Sequence, residues 1–405
     1  MTIGIGGSCA AQELAKLSNM TADVQPVALA EYQQRIARAQ RLMQQHNIAA
    51  IYLNAGTNLY YFTGTRWPAS ERLVGALLPA EGEIIYIAPY FELNTLRLYM
   101  QVQGNVATWH EHECPYALCI ETLQQMDIPS GNLGIDESTA FFISHGLDSQ
   151  TDRFQLVSAK DVTAGCRAIK STTEIALMQR AKDMTLEVQK ATARILREGI
   201  STLEVSDFID QAHRKVGAAK GSYFCIVLFG RDSSFPHGVK QPKQLAADDV
   251  VLIDTGCQVE GYISDITRSY VFGTPNNRQR EMWAIEKAAQ EHAFQATRIG
   301  QPCAVVDIAA REYLASQGMG PEYQTPGCPH RTGHGIGLDI HEWPYLVKSN
   351  QTPLAAGMCF SNEPMLVIPD EFGIRLEDHF YMTDQGPKWF TQPSHSIDDP
   401  FGYEA

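Results

Sequence analysis

The order of apolar and polar positions divides the chain into two unlike stretches. From residue 29 to 160, amphipathic helical segments alternate with short apolar runs, AAIYL at 49–53, GALLPA at 75–80 and EIIYIAP at 83–89. Apolar runs of that length between helical segments predict strands of a central sheet in an α/β unit. Near residue 160 the rhythm changes. Ser171-Thr-Thr-Glu174 is a capping-box pattern, a side-chain oxygen for orphan amides followed three residues later by a reciprocating glutamate, and a helical period then runs to Gly199. Ser201-Thr-Leu-Glu204 repeats the pattern and opens a second helix that ends near Gly217.

The same succession recurs further on. REMWAIEKAAQEHAFQATRIG reads as a helix ending at Gly300, and VVDIAAREYLASQG as a shorter helix after it. Aligning Gly199 with Gly300 sets Val205 opposite Val306, which predicts two helix–helix–sheet halves related by an internal pseudo-two-fold. The expected architecture is α/β (α+β), with one domain over 1–160 and a second over 161–405.

The β-rich parts of the second domain carry acids. DDVVLIDTG (248–256) is an apolar strand ending in Asp254, and GYISDITRSYVFG (261–273) is a second strand with Asp265 inside it. MCFSNEPMLVI (358–368) and FGIRLEDHFYMT (372–383) predict a hairpin around Pro369-Asp370-Glu371, with Glu363 on one arm and Glu377 on the other. A carboxylate in a buried strand must be paired, hydrogen-bonded or bound to a cation. Arg268 and Arg375 are too few to neutralise all four, whereas two divalent cations balance them in formal charge. The pair His110 and His112 in the first domain reads as a polar strand end rather than a metal site.

A neutral ligand is available in HRTGHGIGLDIHE (330–342), three histidines threaded with glycines. The four-residue spacing of His330 and His334 suits a helical zinc site, but Gly333, Gly335 and Gly337 oppose a helix and HExxH is absent. The glycines do not form a phosphate loop either, since GxGxxG and a following Lys-Ser or Lys-Thr are missing. What remains is a tight extended segment whose glycines let the backbone approach a crowded site.

Composition narrows the field. A 405-residue chain with 44% hydrophobic and 19% charged residues is an ordinary globular protein, long enough for two domains. A net charge of -14 without a Lys/Arg cluster argues against a nucleic-acid partner. No apolar stretch approaches the length of a membrane span, so no membrane partner is expected. Nine scattered cysteines without a CxxC pair, and an N-terminus without a secretory pattern, lead to the expectation of reduced thiols and a cytoplasmic protein.

Taken in order, FPHG (235–238), IDTG (253–256), SDITR (264–268), HRTGHGIG (330–337), HE (341–342), SNEPM (361–365) and GIRLED (373–378) resemble the metallopeptidases of pita-bread fold, the family of methionine aminopeptidase, aminopeptidase P, prolidase and the metal-free creatinase. Bacterial prolidases, the Xaa-Pro dipeptidases, are the nearest in length and overall character. The resemblance is strong over roughly 160–385, with a spacing of eleven from Asp254 to Asp265 as in the family, and looser before it, where NLYYFTG (58–64) is typical of a creatinase-like N-terminal domain.

The resemblance implies that Asp265 and Glu377 bridge two metals, that Asp254 completes one and that His334 and Glu363 complete the other. A hard donor set of this kind suits Mn²⁺, with Co²⁺ or Zn²⁺ as substitutes. The implied reaction is hydrolysis of the imide bond of a small peptide with proline in second position, by a water activated between the metals. Glu363 is expected to shuttle its proton, and His237, His330 and His341 to supply hydrogen bonds to oxyanion, substrate and shuttle. Arg375 shares a strand face with Glu377 and is expected either to orient a ligand carboxylate or to receive the substrate's carboxylate. The family also implies a homodimer. Aminopeptidase P, acting on longer Xaa-Pro peptides, is the alternative reading; a non-catalytic binding protein on the same fold is a third, disfavoured because no ligand position is lost.

Overall fold

In the computed structural model, which describes residues 2–404, the chain forms two compact units, Val27–Arg167 and Met1–Pro26 together with Ala168–Ala405. The boundary therefore falls a few residues beyond the 160/161 expected from sequence, and the first 26 residues pack with the second unit. Backbone hydrogen bonds and the Glu13–Arg194 ion pair tie this segment to the second unit. Thr2 and Ile3 donate backbone hydrogen bonds to Gly273 and Asp398, and Glu13, fully buried, takes ion pairs from Lys16 at 2.6 Å and Arg194 at 2.7 Å.

The Val27–Arg167 unit is a six-stranded mixed sheet. Its strands run in the order Asn105–Trp109, Ile85–Pro89, Gly75–Pro79, Ala50–Asn54, Gly131–Ile135 and Phe154–Ser158. The three apolar runs read from sequence are three of these strands, and their burial on both faces explains why apolar residues are continuous rather than alternating. Tyr52, Leu77, Ile87, Leu123 and Leu133 form the centre of its core. NLYYFTG folds as the helix Thr57–Thr63, closed by Gly64 in the left-handed region. His110 and His112 lie exposed just past the strand Asn105–Trp109.

The second unit shows the repeated helix–helix–sheet order. Helix Thr172–Ile195 begins with the Ser171/Glu174 capping box and Thr202–Lys215 with the Ser201/Glu204 box. In the second half, Asn277–Ala296 is opened by an Asn276/Gln279 box, and Ala304–Ser316 follows without a side-chain cap. The first half contributes a three-stranded sheet in which Val250–Gly256 lies between Ile266–Val271 and Phe224–Phe229. The second contributes a five-stranded sheet, Glu342–Leu346, Gly333–Gly335, Cys359–Asn362, Asp378–Thr383 and Gly386–Trp389, and a two-stranded ribbon of Met365–Ile368 with Phe372–Arg375.

Two features refine the sequence reading. The expected strand 261–273 is broken at Ser264-Asp265, where Ser264 Oγ takes the Cys257 amide at 2.8 Å and turns the chain between Tyr262–Ile263 and Ile266–Val271. The hairpin around 369–371 forms, but its arms change partners: Met365 pairs with Arg375, while Asn362 pairs with Asp378 in the neighbouring sheet. Asp265, Glu363 and Glu377 all occupy such breaks, where a side chain leaves the regular ladder.

Candidate metal centre

Asp254 sits inside the buried strand Val250–Gly256 and faces Thr267 in register. Asp265 precedes the strand Ile266–Val271, Glu363 follows Cys359–Asn362, and Glu377 precedes Asp378–Thr383. His334 is the middle residue of Gly333–Gly335, and the glycines around it are steric necessities. A side chain at Gly333 would bring its Cβ within 2.2 Å of the Ser361 carbonyl oxygen, and one at Gly335 within 2.6 Å of that of Glu342. The close packing of backbones on both sides of His334 is what the glycine run makes possible.

These strands bring Asp265, His334 and Glu377 together, with one ligand atom from each lying within 4.8 Å of the others. His334 Nδ1 donates to the Gly335 carbonyl at 2.9 Å, so in the neutral ring Nε2 carries the lone pair. That Nε2 lies 3.0 Å from Glu363 Oε1 and 4.0 Å from Asp265 Oδ2. A lone pair facing a carboxylate at such a distance requires a proton or a cation between them.

The acids show the same need. Asp254 Oδ1, Asp265 Oδ1 and Glu377 Oε1 are buried without a hydrogen-bond partner. Burial, reinforced by the charges of the neighbouring carboxylates, holds Asp265 and Glu377 well above the usual carboxylate range. Burial also acts to raise Glu363, but with a proton on His334 Nε2 the hydrogen bond and charge of that ring outweigh it and keep the carboxyl low. Three crowded carboxylates with unpartnered oxygens beside an imidazole lone pair fit divalent cations, and the donors are oxygen and nitrogen only. Cys257 and Cys359 are buried, and burial pushes the Cys359 thiol up to about 12, so neither offers a thiolate.

Arg375 is fully engaged. Its Nη2 donates to Asp254 Oδ2 at 2.5 Å, Nε to Thr267 Oγ1 at 3.0 Å and Nη1 to the Pro236 carbonyl at 3.1 Å. Thr267 Oγ1 in turn donates a hydrogen bond to Glu377 Oε2 at 2.7 Å, so one arginine and one hydroxyl orient two of the acids. Of the two roles expected from sequence, the geometry favours orientation of a carboxylate.

A cavity of about 540 Å³ opens beside this cluster, lined by His237, His330, Arg331, His341, Glu363 and Arg375 among others. His330 Nδ1 donates to the Arg331 carbonyl at 2.8 Å, which leaves Nε2 as a buried acceptor without a partner. The ring of His341 stands edge-on to that of His334 at 4.3 Å, and burial with the nearby charges of His334 and Arg331 pushes its pKa down to about 4. His237 is exposed at the cavity wall.

Three groups escaped the sequence reading. His379 is completely buried, with Nε2 3.7 Å from Glu377 Oε1; the period-two alternation from Glu377 to His379 was the available signal. Gln189 and Gln290, one on each long helix, each present a carboxamide to the strands that carry the acids. Gln189 Nε2 donates to the carbonyls of Ile253 at 3.0 Å and Ile266 at 2.9 Å, the neighbours of Asp254 and Asp265. Gln290 Nε2 donates to the carbonyls of Leu376 at 3.0 Å and Asn362 at 3.3 Å, the neighbours of Glu377 and Glu363, and to Asp378 Oδ2 at 3.1 Å. No pattern in the chain marks a buried glutamine as a clamp.

Comparison with known proteins gives this geometry its context. Residues 176–384 match the model of metallopeptidase family M24, and residues 35–169 that of the creatinase/prolidase N-terminal domain. A recombinant prolidase from Thermococcus sibiricus is similar at 30% identity and a TM-score of 0.81, over 89% of this chain and 97% of that one. Dipeptidase PepE from Mycobacterium ulcerans is similar at 30% identity and a TM-score of 0.83, over 92% and 99%. An X-Pro aminopeptidase from Thermotoga maritima is similar at 25% identity and a TM-score of 0.73, over 88% and 97%.

Proposed function

The chain belongs to metallopeptidase family M24, with a creatinase/prolidase N-terminal domain ahead of the pita-bread unit, and we propose that it is a two-metal dipeptidase cleaving dipeptides with proline in second position. The single observation that carries the metal chemistry is the buried cluster of carboxylates with unpartnered oxygens around the His334 lone pair. On this reading Asp265 and Glu377 would hold both cations, Asp254 one, and His334 with Glu363 the other. Mn²⁺ suits the oxygen-rich donor set best. When bound, two divalent cations lower the pKa of a water to near neutrality and polarise the scissile carbonyl.

The remaining work falls to side chains of this protein. An imide nitrogen carries no hydrogen and needs a proton before it leaves. Glu363 is held by Ser361 Oγ at 3.1 Å and by His334 at the cavity wall, and is positioned to take the proton from water and deliver it to that nitrogen. His341, neutral above pH of about 4, is suited to donate a hydrogen bond to the developing oxyanion rather than to supply the proton. His330 presents an acceptor nitrogen and suits the substrate's ammonium group, a donor. Arg375 and Thr267 hold Asp254 and Glu377 in place throughout.

The test is a substrate panel on protein reconstituted with Mn²⁺: Ala-Pro, Leu-Pro, Leu-Leu, Ala-Pro-Gly and a Met-initiated peptide. Cleavage of the Xaa-Pro dipeptides well above the others is expected. Tripeptide cleavage equal to that of dipeptides would move the assignment to aminopeptidase P.

A further inference from the structure

His379 is a costly residue to bury if it only fills space. Its ring is completely enclosed, and neither Nδ1 nor Nε2 has a hydrogen-bond partner among the described residues. Buried polar atoms in folded chains are almost always partnered, because a bare one forfeits its hydration without return. An apolar side chain would occupy the same space without that cost. Nε2 faces Glu377 Oε1 at 3.7 Å, and that oxygen is itself buried and without a hydrogen-bond partner. A bare nitrogen and a bare acceptor thus stand opposite each other, roughly half an ångström beyond ordinary N–H···O reach, a gap that a small rotation of either side chain closes.

The strands show how the two come to face each other. His379 lies on Asp378–Thr383, in register with Ser361 of Cys359–Asn362. Residues paired in register present their side chains on the same face of a sheet. Ser361 Oγ accepts the His334 amide at 2.9 Å and donates to Glu363 Oε1 at 3.1 Å. The same pair of strands therefore brings a hydroxyl to one glutamate and an imidazole to the other. Glu377 Oε2 already takes the Thr267 hydroxyl at 2.7 Å, so Oε1 is the oxygen left without an orienting donor. A carboxylate oxygen carries two lone pairs and accepts a hydrogen bond while it also faces a cation. An outer donor of this kind sets the direction of a ligating carboxylate and with it the affinity of the site.

We propose that His379 is a positioning residue for the metal centre, donating Nε2–H to Glu377 Oε1 and so fixing, together with Thr267, both oxygens of that carboxylate. The proposal rests on the two-metal reading above and is independent of which peptide is cut. Thr267 belongs to the first half of the unit and His379 to the second, so Glu377 is oriented by one residue from each.

The experiment measures Mn²⁺ affinity by calorimetry on metal-depleted protein, and the visible absorption of the Co²⁺-loaded form, in wild type, His379→Gln, His379→Asn and His379→Phe. The amide nitrogen of glutamine reaches to the place of Nε2 and that of asparagine only to the place of Nδ1, while phenylalanine keeps the volume without a donor. His379→Gln is expected to bind Mn²⁺ within about three-fold of wild type and to keep the Co²⁺ bands, whereas His379→Asn and His379→Phe weaken binding by about 10- to 100-fold and shift them. A role in packing alone gives a different order, with phenylalanine closest to wild type and the two amides alike. Melting temperatures of the metal-free proteins are recorded alongside; if His379→Phe does not fold, the ratio of the glutamine to the asparagine variant decides. Equal Mn²⁺ affinity in wild type and His379→Phe, or in His379→Gln and His379→Asn, would overturn the proposal. The two readings fail separately. A wild type that binds no divalent cation overturns the metal reading and this one with it, whereas a wild type and a His379→Phe protein that bind the cations equally well overturn this one alone.

Discussion

The two halves of the catalytic unit solve one problem with the same device and then diverge. Gly199 and Gly300 are separated by the same interval as Gln189 and Gln290, and each glutamine donates to carbonyls beside the acids of its own half. The spacing of the acids within each half is thus set from a helix behind the strands. Ahead of the strands the halves are unalike. The first supplies Asp254 and Asp265 and little else to the cavity beyond His237. The second supplies His334, Glu363 and Glu377, and also His330, Arg331 and His341 on the cavity wall. The difference is that a helix-borne glutamine behind the acids is common to both halves, while most side chains on the cavity wall come from the second.

The comparison can be broken most sharply at its shared centre. Asp265→Asn is expected to lose bound metal and at least about 10³-fold in kcat/KM, as expected for loss of metal-assisted activation; metal analysis with kinetics checks it, and a metal-free yet active variant would refute the cluster's role. His341→Ala, by contrast, touches only the elaborated half: metal is retained and kcat falls by about 10²-fold. The two clamps should behave as a pair. Gln189→Leu and Gln290→Leu each weaken metal binding by about 10- to 100-fold, the usual effect of removing an outer hydrogen bond. Gln290→Leu is the more severe, because it also strips Asp378 of a donor. Titration of metal-depleted protein by calorimetry ranks them, and equal affinity in wild type and both variants would dissolve the parallel.

The smallest effect separates the halves by sign. In the first half His213 is buried between Thr185 and Ser222, and burial lowers its pKa from 6.5 to about 4. The native state then binds fewer protons than the unfolded chain between these values, so stability is complete above about 6.5 and declines as pH falls toward 4. In the second half the fully buried Glu286 is raised well above 4.5 by burial, so its native form prefers the proton and stability declines as pH rises through that raised value. His213→Gln should flatten the acid limb by up to about 1.4 kcal/mol per pH unit, and Glu286→Gln should flatten the opposite limb. Denaturant melts of metal-free protein across pH read both slopes.

How far the molecule could be read from its residues varies by layer. The capping boxes at Ser171 and Ser201 and the apolar run before Asp254 follow local rules, and local rules are legible. The buried acids were legible as groups in want of a counter-charge, whereas the grouping of Asp265 and Glu377 with His334 was expected only through the family resemblance. What could not be read depends on side chains meeting across long separations. The hold of Gln290 on Asn362 and Leu376, the spent donors of Arg375, and the stacking of Arg331 on Tyr345 leave no periodic trace. The placement of the first 26 residues is of the same kind, decided by partners such as Arg194 and Asp398 far along the chain.

One such long-range feature bears on how the protein comes into being. Arg268, completely buried on the strand Ile266–Val271 of the first half, pairs with Asp378 of the second at 2.7 Å and also takes the Glu377 carbonyl at 3.0 Å. Ser269 Oγ donates to the Arg375 carbonyl and Trp283 Nε1 to that of Ser269. The Arg268–Asp378 pair spans 110 residues, so it closes a large loop. Because Asp265 and Glu377 lie on opposite sides of that seam, a cation can be gripped only once the halves have docked. A cation held by both acids would return its binding free energy as adhesion between the two half-domains.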